Sequence, residues 1–157
     1  VVQAEACRIA PHVDMNPVLI KPTADARAQI ILQGRPLANM SAREYCRYKN
    51  RILKNVIDSF ARLKRQYEII VIEGAGSPAE VNLKKDDIVN MKMAEVADAE
   101  VILVADIDKG GAFASIIGTL ELLEPRERKR ICGFIINKFR GDKSILKSGI
   151  DFLEKKI

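Results

Sequence analysis

Ile69-Ile70-Val71-Ile72-Glu73-Gly74-Ala75-Gly76-Ser77-Pro78 joins an apolar, β-branched run to a carboxylate and a glycine-rich turn. The run has the length and composition of a strand buried on both faces of a parallel sheet. Its charged end then emerges at the carboxyl edge of the sheet, where open α/β folds bind ligands. A carboxylate there, beside backbone able to approach closely, suits a Mg²⁺–phosphate centre. A short strand ending in Glu is not specific alone, so the flanking sequence has to supply the rest.

Upstream, Ser41-Ala42-Arg43-Glu44 is a capping box that starts a helix running to about Gln66. That helix places Tyr45, Tyr48, Ile52, Val56, Ile57, Phe60 and Leu63 on one face. Before it, Val18-Leu19-Ile20 and Gln29-Ile30-Ile31-Leu32 read as short strands of a hairpin with a polar loop from Thr23 to Arg27. Pro11, Asn16-Pro17 and Pro22 make the segment after an opening helical stub rich in loops. Downstream, Asp86 or Asp87 is expected to cap a helix with Ile88, Met91 and Ala94 among its apolar positions. Glu100–Asp106 is a second strand ending in a carboxylate. Gly110-Gly111 opens a helix through about Leu123, stopped near Pro125, a basic turn follows over Arg126 to Arg130, and Ile131–Asn137 is a third strand. A last helix starts near Asp142. Strand–helix alternation from residue 69 onward predicts a parallel, doubly wound α/β sheet.

The 157 residues suffice for one domain with a real core, and 48% hydrophobic against 30% charged residues is a globular balance. No apolar run approaches the roughly 20 residues that a membrane-spanning helix needs, so no membrane partner is expected. Cys7, Cys46 and Cys132 are an odd number without paired spacing, which favours reduced thiols in a cytoplasmic protein. The net charge of +5 owes much to Arg43, Arg47, Lys49, Arg51, Lys54, Arg62, Lys64 and Arg65. This run reads as a solvated basic face rather than a nucleic-acid site. The chain starts without Met, already in a helical pattern, and ends in another at Glu154-Lys155-Lys156-Ile157. Both ends read as cut from a longer protein.

Three strands expected to be buried each end in a polar residue at the same edge: Glu73, Asp106 and Asn137. Such groups destabilise if buried without partners, so their repetition points to a site. Glu73 either holds Mg²⁺ against phosphate oxygens or accepts hydrogen bonds from its own glycine turn. Gly74 and Gly76 let backbone approach a ligand or simply turn tightly, and Ser77 belongs to the lip. Asp106-Ile107-Asp108-Lys109-Gly110-Gly111 combines two acids, a cation and a helix amino terminus that attracts anions. It reads as a phosphate or carboxylate site, with an ordinary strand–loop–helix turn as the alternative. Asn137 offers a donor and an acceptor to a purine edge, with Lys138 and Phe139 able to pack on the base. Arg140 stands where a guanine-reading Asn-Lys-x-Asp pattern has its aspartate, which favours adenine. Asp14, Asn16 and Lys21 lie in an unusually polar loop that either touches substrate or does not. His12 is the only histidine and has no companion for a metal. Cys132, within an apolar strand, reads as core.

Taken together, these segments resemble the cobyric acid synthase family, glutamine-dependent amidotransferases of cobalamin biosynthesis. The resemblance rests on Val13-Asp14-Met15-Asn16-Pro17-Val18-Leu19-Ile20-Lys21-Pro22 and Met40-Ser41-Ala42-Arg43-Glu44-Tyr45. It continues through Ile72–Glu80 with Asn82-Leu83, Asp87-Ile88-Val89-Asn90-Met91, Asp106–Ser115 and Phe134–Asp142, covering nearly the whole chain in order. It implies a P-loop NTPase-like, dethiobiotin-synthetase-like domain, with a parallel sheet flanked by helices and incomplete at its amino terminus. A class I glutaminase domain follows that domain in the family. The implied reaction is ATP- and Mg²⁺-dependent amidation of the b, d, e and g carboxylates of the corrinoid adenosylcobyrinic acid a,c-diamide. Ammonia derives from glutamine. The resemblance assigns Glu73 to metal and Asp106, Asp108, Lys109 and the Gly110-Gly111 turn to the substrate–phosphate region. Asn137 and Lys138 go to adenine.

No G-x-x-x-x-G-K-[ST] phosphate loop occurs in this sequence, and neither does the glutaminase nucleophile region. Lys109 stands where the family more often has Arg, which keeps charge but not bidentate geometry. Residues 1–157 are therefore expected to be a partial synthetase domain, inactive in amidation alone and prone to self-association. Glu-Gly-Ala-Gly by itself also fits dethiobiotin synthetase and cobyrinic acid a,c-diamide synthase. A ParA/MinD-type ATPase and a non-catalytic fragment remain the rivals from other classes.

Overall fold

The computed structural model describes residues 1–24, 26–84 and 87–156, with every side chain in them but that of Cys46. The chain divides into two compact units, Val1–Glu73 and Gly74–Ile157.

In the first unit a short helix, α1 (Val2–Cys7), and a 3-10 turn (Val13–Met15) precede an antiparallel meander. Strands β1 (Val18–Ala24), β2 (Arg27–Leu32) and β3 (Arg35–Ser41) are hydrogen-bonded in that order. Val18 lies opposite Leu32 across β1–β2, as the hairpin reading requires, and Asp25 of its loop lies outside the described residues. β2 and β3 are joined through Gln33-Gly34, whose φ values of 50° and 74° suit a tight hairpin turn. The sequence does not announce β3, because Arg35-Pro36-Leu37-Ala38-Asn39 lacks apolar alternation. Proline is tolerated there because β3 is an edge strand.

Ser41 then begins α2 (Ala42–Lys64) with the expected capping box: its Oγ accepts the Glu44 N–H at 3.3 Å, and Glu44 Oε2 accepts the Ser41 N–H at 2.8 Å. Ile52 is fully buried, together with Ile30 and Met40 of the meander. The apolar stripe is narrower than the periodicity implies, since Tyr48 and Ile57 are exposed while Ser59 is buried.

The second unit holds the parallel layer. Strands β4 (Val101–Asp106) and β5 (Ile131–Asn137) pair in parallel, joined through α4 (Ala112–Leu122) and a short α5 (Pro125–Arg128). Leu103 and Ala105 of β4 pack with Ala112, Ile116 and Leu120 of α4 and with Leu153 of α6 (Lys147–Glu154) in one core. The opposite face is open, with Ile102 53% and Val104 63% exposed. Cys132 is exposed rather than core, because β5 turns Ile131 inward and its neighbour outward.

Residues 69–73 form no strand. Ile69 is 82% and Val71 90% exposed, and no described strand pairs with them. An extended run becomes a strand only when a neighbour takes its N–H and C=O groups, and composition cannot supply that neighbour. The expected trio of strand ends is accordingly a pair. Helix α3 (Met91–Ala97) also differs from expectation: Asn90, not an aspartate, is at its N-cap position. Asp86 lies outside the described residues. Asp87 spends its carboxylate on the Val89 and Asn90 N–H groups at 2.9 and 3.0 Å, closing the loop before the helix.

Candidate functional site

The register of the parallel pair sets Asp106 beside Asn137 at its carboxyl edge. Asp106 Oδ1 accepts the Asp108 N–H at 3.0 Å, and its Oδ2 accepts from Lys138 Nζ at 2.7 Å. Arg140 Nη2 donates to Asp108 Oδ1 at 2.7 Å. Two ion pairs therefore brace the loop after β4 against the loop after β5. The Lys138 ammonium, and after it the Asp108 N–H, lowers the Asp106 carboxyl below its ordinary range. The same hydrogen bond to Asp106 raises Lys138. Asn137 is exposed and its Oδ1 accepts the Lys138 N–H at 2.9 Å, with Lys138 in the left-handed region at φ 61°.

Lys109 ends a 3-10 turn (Ile107–Lys109), and Gly110 and Gly111 follow at φ 72° and 65°. Gly111 is the N-cap of α4. A side chain at either glycine would meet no atom within 4 Å, so conformation rather than space favours glycine here. The turn presents exposed backbone and the exposed Lys109 side chain at the electropositive end of α4.

The glycine turn after Glu73 is built differently. Asn90 Oδ1 accepts the Ala75 N–H at 3.0 Å, and Asn90 Nδ2 donates to the Ala75 carbonyl at 2.9 Å. Gly76 has φ 64°, and Ser77 Oγ accepts the Ala79 N–H at 3.2 Å. Glu73, at the end of the first unit, is exposed, and its Oε2 accepts from Gln3 Nε2 at 3.0 Å.

In that unit Asp14 is only 4% exposed, and Arg62 grips both its oxygens, Nε to Oδ2 at 2.9 Å and Nη2 to Oδ1. Ser59 Oγ accepts from Arg62 and from Gln33 Nε2, completing a polar cluster on α2. The Arg62 hydrogen bonds pull the Asp14 carboxyl down to about 2. Asn16 and Lys21 are exposed. His12 Nδ1 accepts the Asp14 N–H at 3.3 Å.

Seven of the expected residues thus meet at one edge: Asp106, Asp108, Lys109, Gly110, Gly111, Asn137 and Lys138. Gly74, Gly76 and Ser77 lie in the same unit, while Glu73, Asp14, Asn16 and Lys21 belong to the other. Sequence reasoning overlooked Arg140 as the partner of Asp108, although its place in the Asn-Lys-x-Asp pattern marked it. It named Asn90 only within a family motif and Arg62 only within the basic face, and gave neither a role at a site. A cavity of about 630 Å³ opens beside β5 and α6, lined by Phe134, Ile136, Phe139 and Ile150 among others. Of the residues expected at the site only Phe139, as a base-packing side chain, lines it, and its lining is mostly apolar, so it is not the candidate site.

No group of three or more His, Cys, Asp or Glu side chains able to hold a metal occurs among the described residues. Isolated carboxylates still fit Mg²⁺, which takes one or two from protein and its other ligands from phosphate and water. Glu73 is exposed and supplies such hard oxygens, whereas Asp106 and Asp108 already carry cations.

This architecture is that of an α/β NTPase-like domain, and the chain belongs to the AAA domain family, which it matches over residues 8–156. It is 61% identical over 155 residues to the cobyric acid synthase of Vibrio vulnificus (strain YJ016), covering 99% of this chain and 32% of that protein. The cobyric acid synthase of Desulforamulus reducens is 59% identical, over 98% of this chain and 30% of the relative. That of Moorella thermoacetica is 57% identical, over 99% of this chain and 30% of the relative. The chain therefore spans about a third of the length of the curated relatives it matches. No solved structure matches it.

Proposed function

We propose that residues 1–157 are part of an ATP-dependent synthetase domain, and that the protein carrying them is a carbon–nitrogen ligase of cobalamin biosynthesis. It converts adenosylcobyrinic acid a,c-diamide to cobyric acid by amidating the b, d, e and g carboxylates, with glutamine as the amido donor. The observation that carries this reading is the carboxyl edge of β4 and β5. There Asp106, Asp108, Lys138 and Arg140 form two ion pairs next to the Gly110-Gly111 entry to α4. Identity of 57–61% to three cobyric acid synthases, spread across the chain, supports the same reading.

A carboxylate resists ammonia because it is anionic and lacks a leaving group. A substrate carboxylate oxygen therefore attacks the ATP γ-phosphorus, forming an acyl phosphate and releasing ADP. Ammonia then adds to the acyl carbon, and phosphate leaves with the C–O bond pair as the amide forms. In this chain Lys109 and the amides at the start of α4 hold the phosphate or carboxylate anion. Asp106 and Asp108 fix Lys138 and Arg140 along the other side of the edge, and Asn137 offers its amide nitrogen to adenine. Asn16 and Lys21 in the first unit are assigned to the corrinoid, with Asp14 holding the turn before β1 through Arg62, and Ser77 in the second unit is assigned to substrate separately. Gly74 and Gly76 give the backbone access to the ligand. Glu73 would hold Mg²⁺, which supplies charge neutralisation in phosphoryl transfer.

The phosphate loop and the glutaminase are assigned to sequence outside residues 1–157, since neither motif occurs here. The setting proposed is the cytoplasm, without nucleic acid or membrane as partner. Among the described residues no helix is long and apolar enough to cross a membrane.

In the full-length enzyme, Glu73→Gln is expected to lower kcat for ATP-dependent amidation at least 100-fold, on the scale of losing a charge-stabilising group. Near-normal turnover would remove Glu73 from the metal site. Residues 1–157 alone, given ATP, Mg²⁺, ammonia and corrinoid, are expected to form no amide. Measurable product would refute the partial-domain assignment.

A further inference from the structure

We propose that Asn90 is a positioning residue for the glycine turn at residues 74–76, an inference that rests on reading Glu73 to Ser77 as ligand-facing. Its carboxamide pairs with the Ala75 peptide as a neighbouring strand would, accepting the N–H at 3.0 Å and donating to the C=O at 2.9 Å. No regular helix or strand supports residues 74–80, so one side chain supplies what a sheet would otherwise supply.

Gly74 carries the second observation. A Cβ there would stand 2.4 Å from Asn90 Oδ1, whereas its own φ is not in the left-handed region. A Cβ at 74 would thus push the Asn90 carboxamide off the Ala75 peptide, so glycine there is what lets the clamp close. Asp87 completes the device: its Oδ1 accepts the Asn90 N–H at 3.0 Å and fixes the backbone from which the carboxamide projects. A turn held before the ligand arrives loses less conformational freedom on binding. Asn90 therefore acts on ligand affinity through backbone that it holds, without touching the ligand.

The test compares full-length variants by amidation kinetics and by hydrogen–deuterium exchange. Asn90→Ala is expected to raise exchange at residues 74–76 and the KM for ATP about tenfold, the scale of two lost neutral hydrogen bonds, while kcat changes less than twofold. Asn90→Asp, of the same shape, keeps the acceptor for the Ala75 N–H but sets an acceptor against the Ala75 C=O. It should show the same split and serves if the alanine variant does not fold. Gly74→Ala should raise KM in the wild-type background and add nothing in the Asn90→Ala background, a coupling that a simple helix-capping role would not produce. Unchanged exchange at residues 74–76 overturns the clamp, and raised exchange with unaltered KM overturns the positioning role. Failure of the underlying reading shows separately, as normal turnover of Glu73→Gln.

Discussion

Asp14 and Arg62 lie 48 residues apart in sequence and share a bidentate ion pair in the first unit. Because the folded carboxyl sits at about 2 against an ordinary 3.8, ionised Asp14 stabilises the fold fully above about pH 4. That contribution is lost as pH falls through 2 and amounts to roughly 2 kcal/mol by linkage. Asp14→Asn should cost about 1–3 kcal/mol at neutral pH, because a buried neutral amide cannot replace the charge-assisted hydrogen bonds that the carboxylate takes from Arg62, whose own side chain is 40% exposed. Urea unfolding followed in the first unit should show the gap between wild type and variant narrowing from pH 4 to pH 2. A gap independent of pH would mean that Asp14 is not ionised in the fold as described. The Val13–Pro17 motif was legible as polar and special, yet the sequence held no sign that its acid faces an arginine of α2. The loops at the sheet edge teach the same lesson, since Asp106 and Asp108 read as free acids until Lys138 and Arg140 arrive from 32 residues away.

Elements whose signals are short-range were readable. The capping box starts α2 where Ser41 and Glu44 say it should, and β4, α4 and β5 fall within a residue or so of their expected limits. β3 and the 69–73 segment were not readable, for opposite reasons. The first is polar sequence recruited by a neighbour, and the second is apolar sequence that no described strand pairs. Two glycines test how tightly the helices of the second unit pack. A Cβ on Gly149 of α6 would come within 2.6 Å of the Phe113 ring of α4, whereas one on Gly118 of α4 would meet open space. Gly149→Ala should therefore destabilise by about 1–3 kcal/mol through overpacking. Gly118→Ala should stabilise by up to about 1 kcal/mol through helix propensity and a less disordered unfolded state. Equal effects in thermal unfolding would contradict the packing between α4 and α6.

At the scale of the whole molecule, apolar surface remains uncovered in both units: Ile69 and Val71 in the first, Ile102, Val104 and Ile135 in the second. β-branched residues on an open strand face and an unpaired run favour association with other copies. Sedimentation velocity of the 157-residue chain should give a mean mass that rises with concentration, and Val71→Lys with Val104→Lys should lower it. A monomer at all concentrations, with one sharp and concentration-independent unfolding transition, would overturn this expectation. By itself the sequence determined the α/β class, the capped helix, the glycine turns and the family motifs, because propensity, capping and local spacing act over a few residues. Only the tertiary structure decided which acids carry cations, that Asn90 holds the turn after Glu73, and that Ile69–Glu73 stays outside a sheet. Each of these depends on a partner brought from far along the chain, and a hydrogen bond or ion pair exists only where both of its ends arrive.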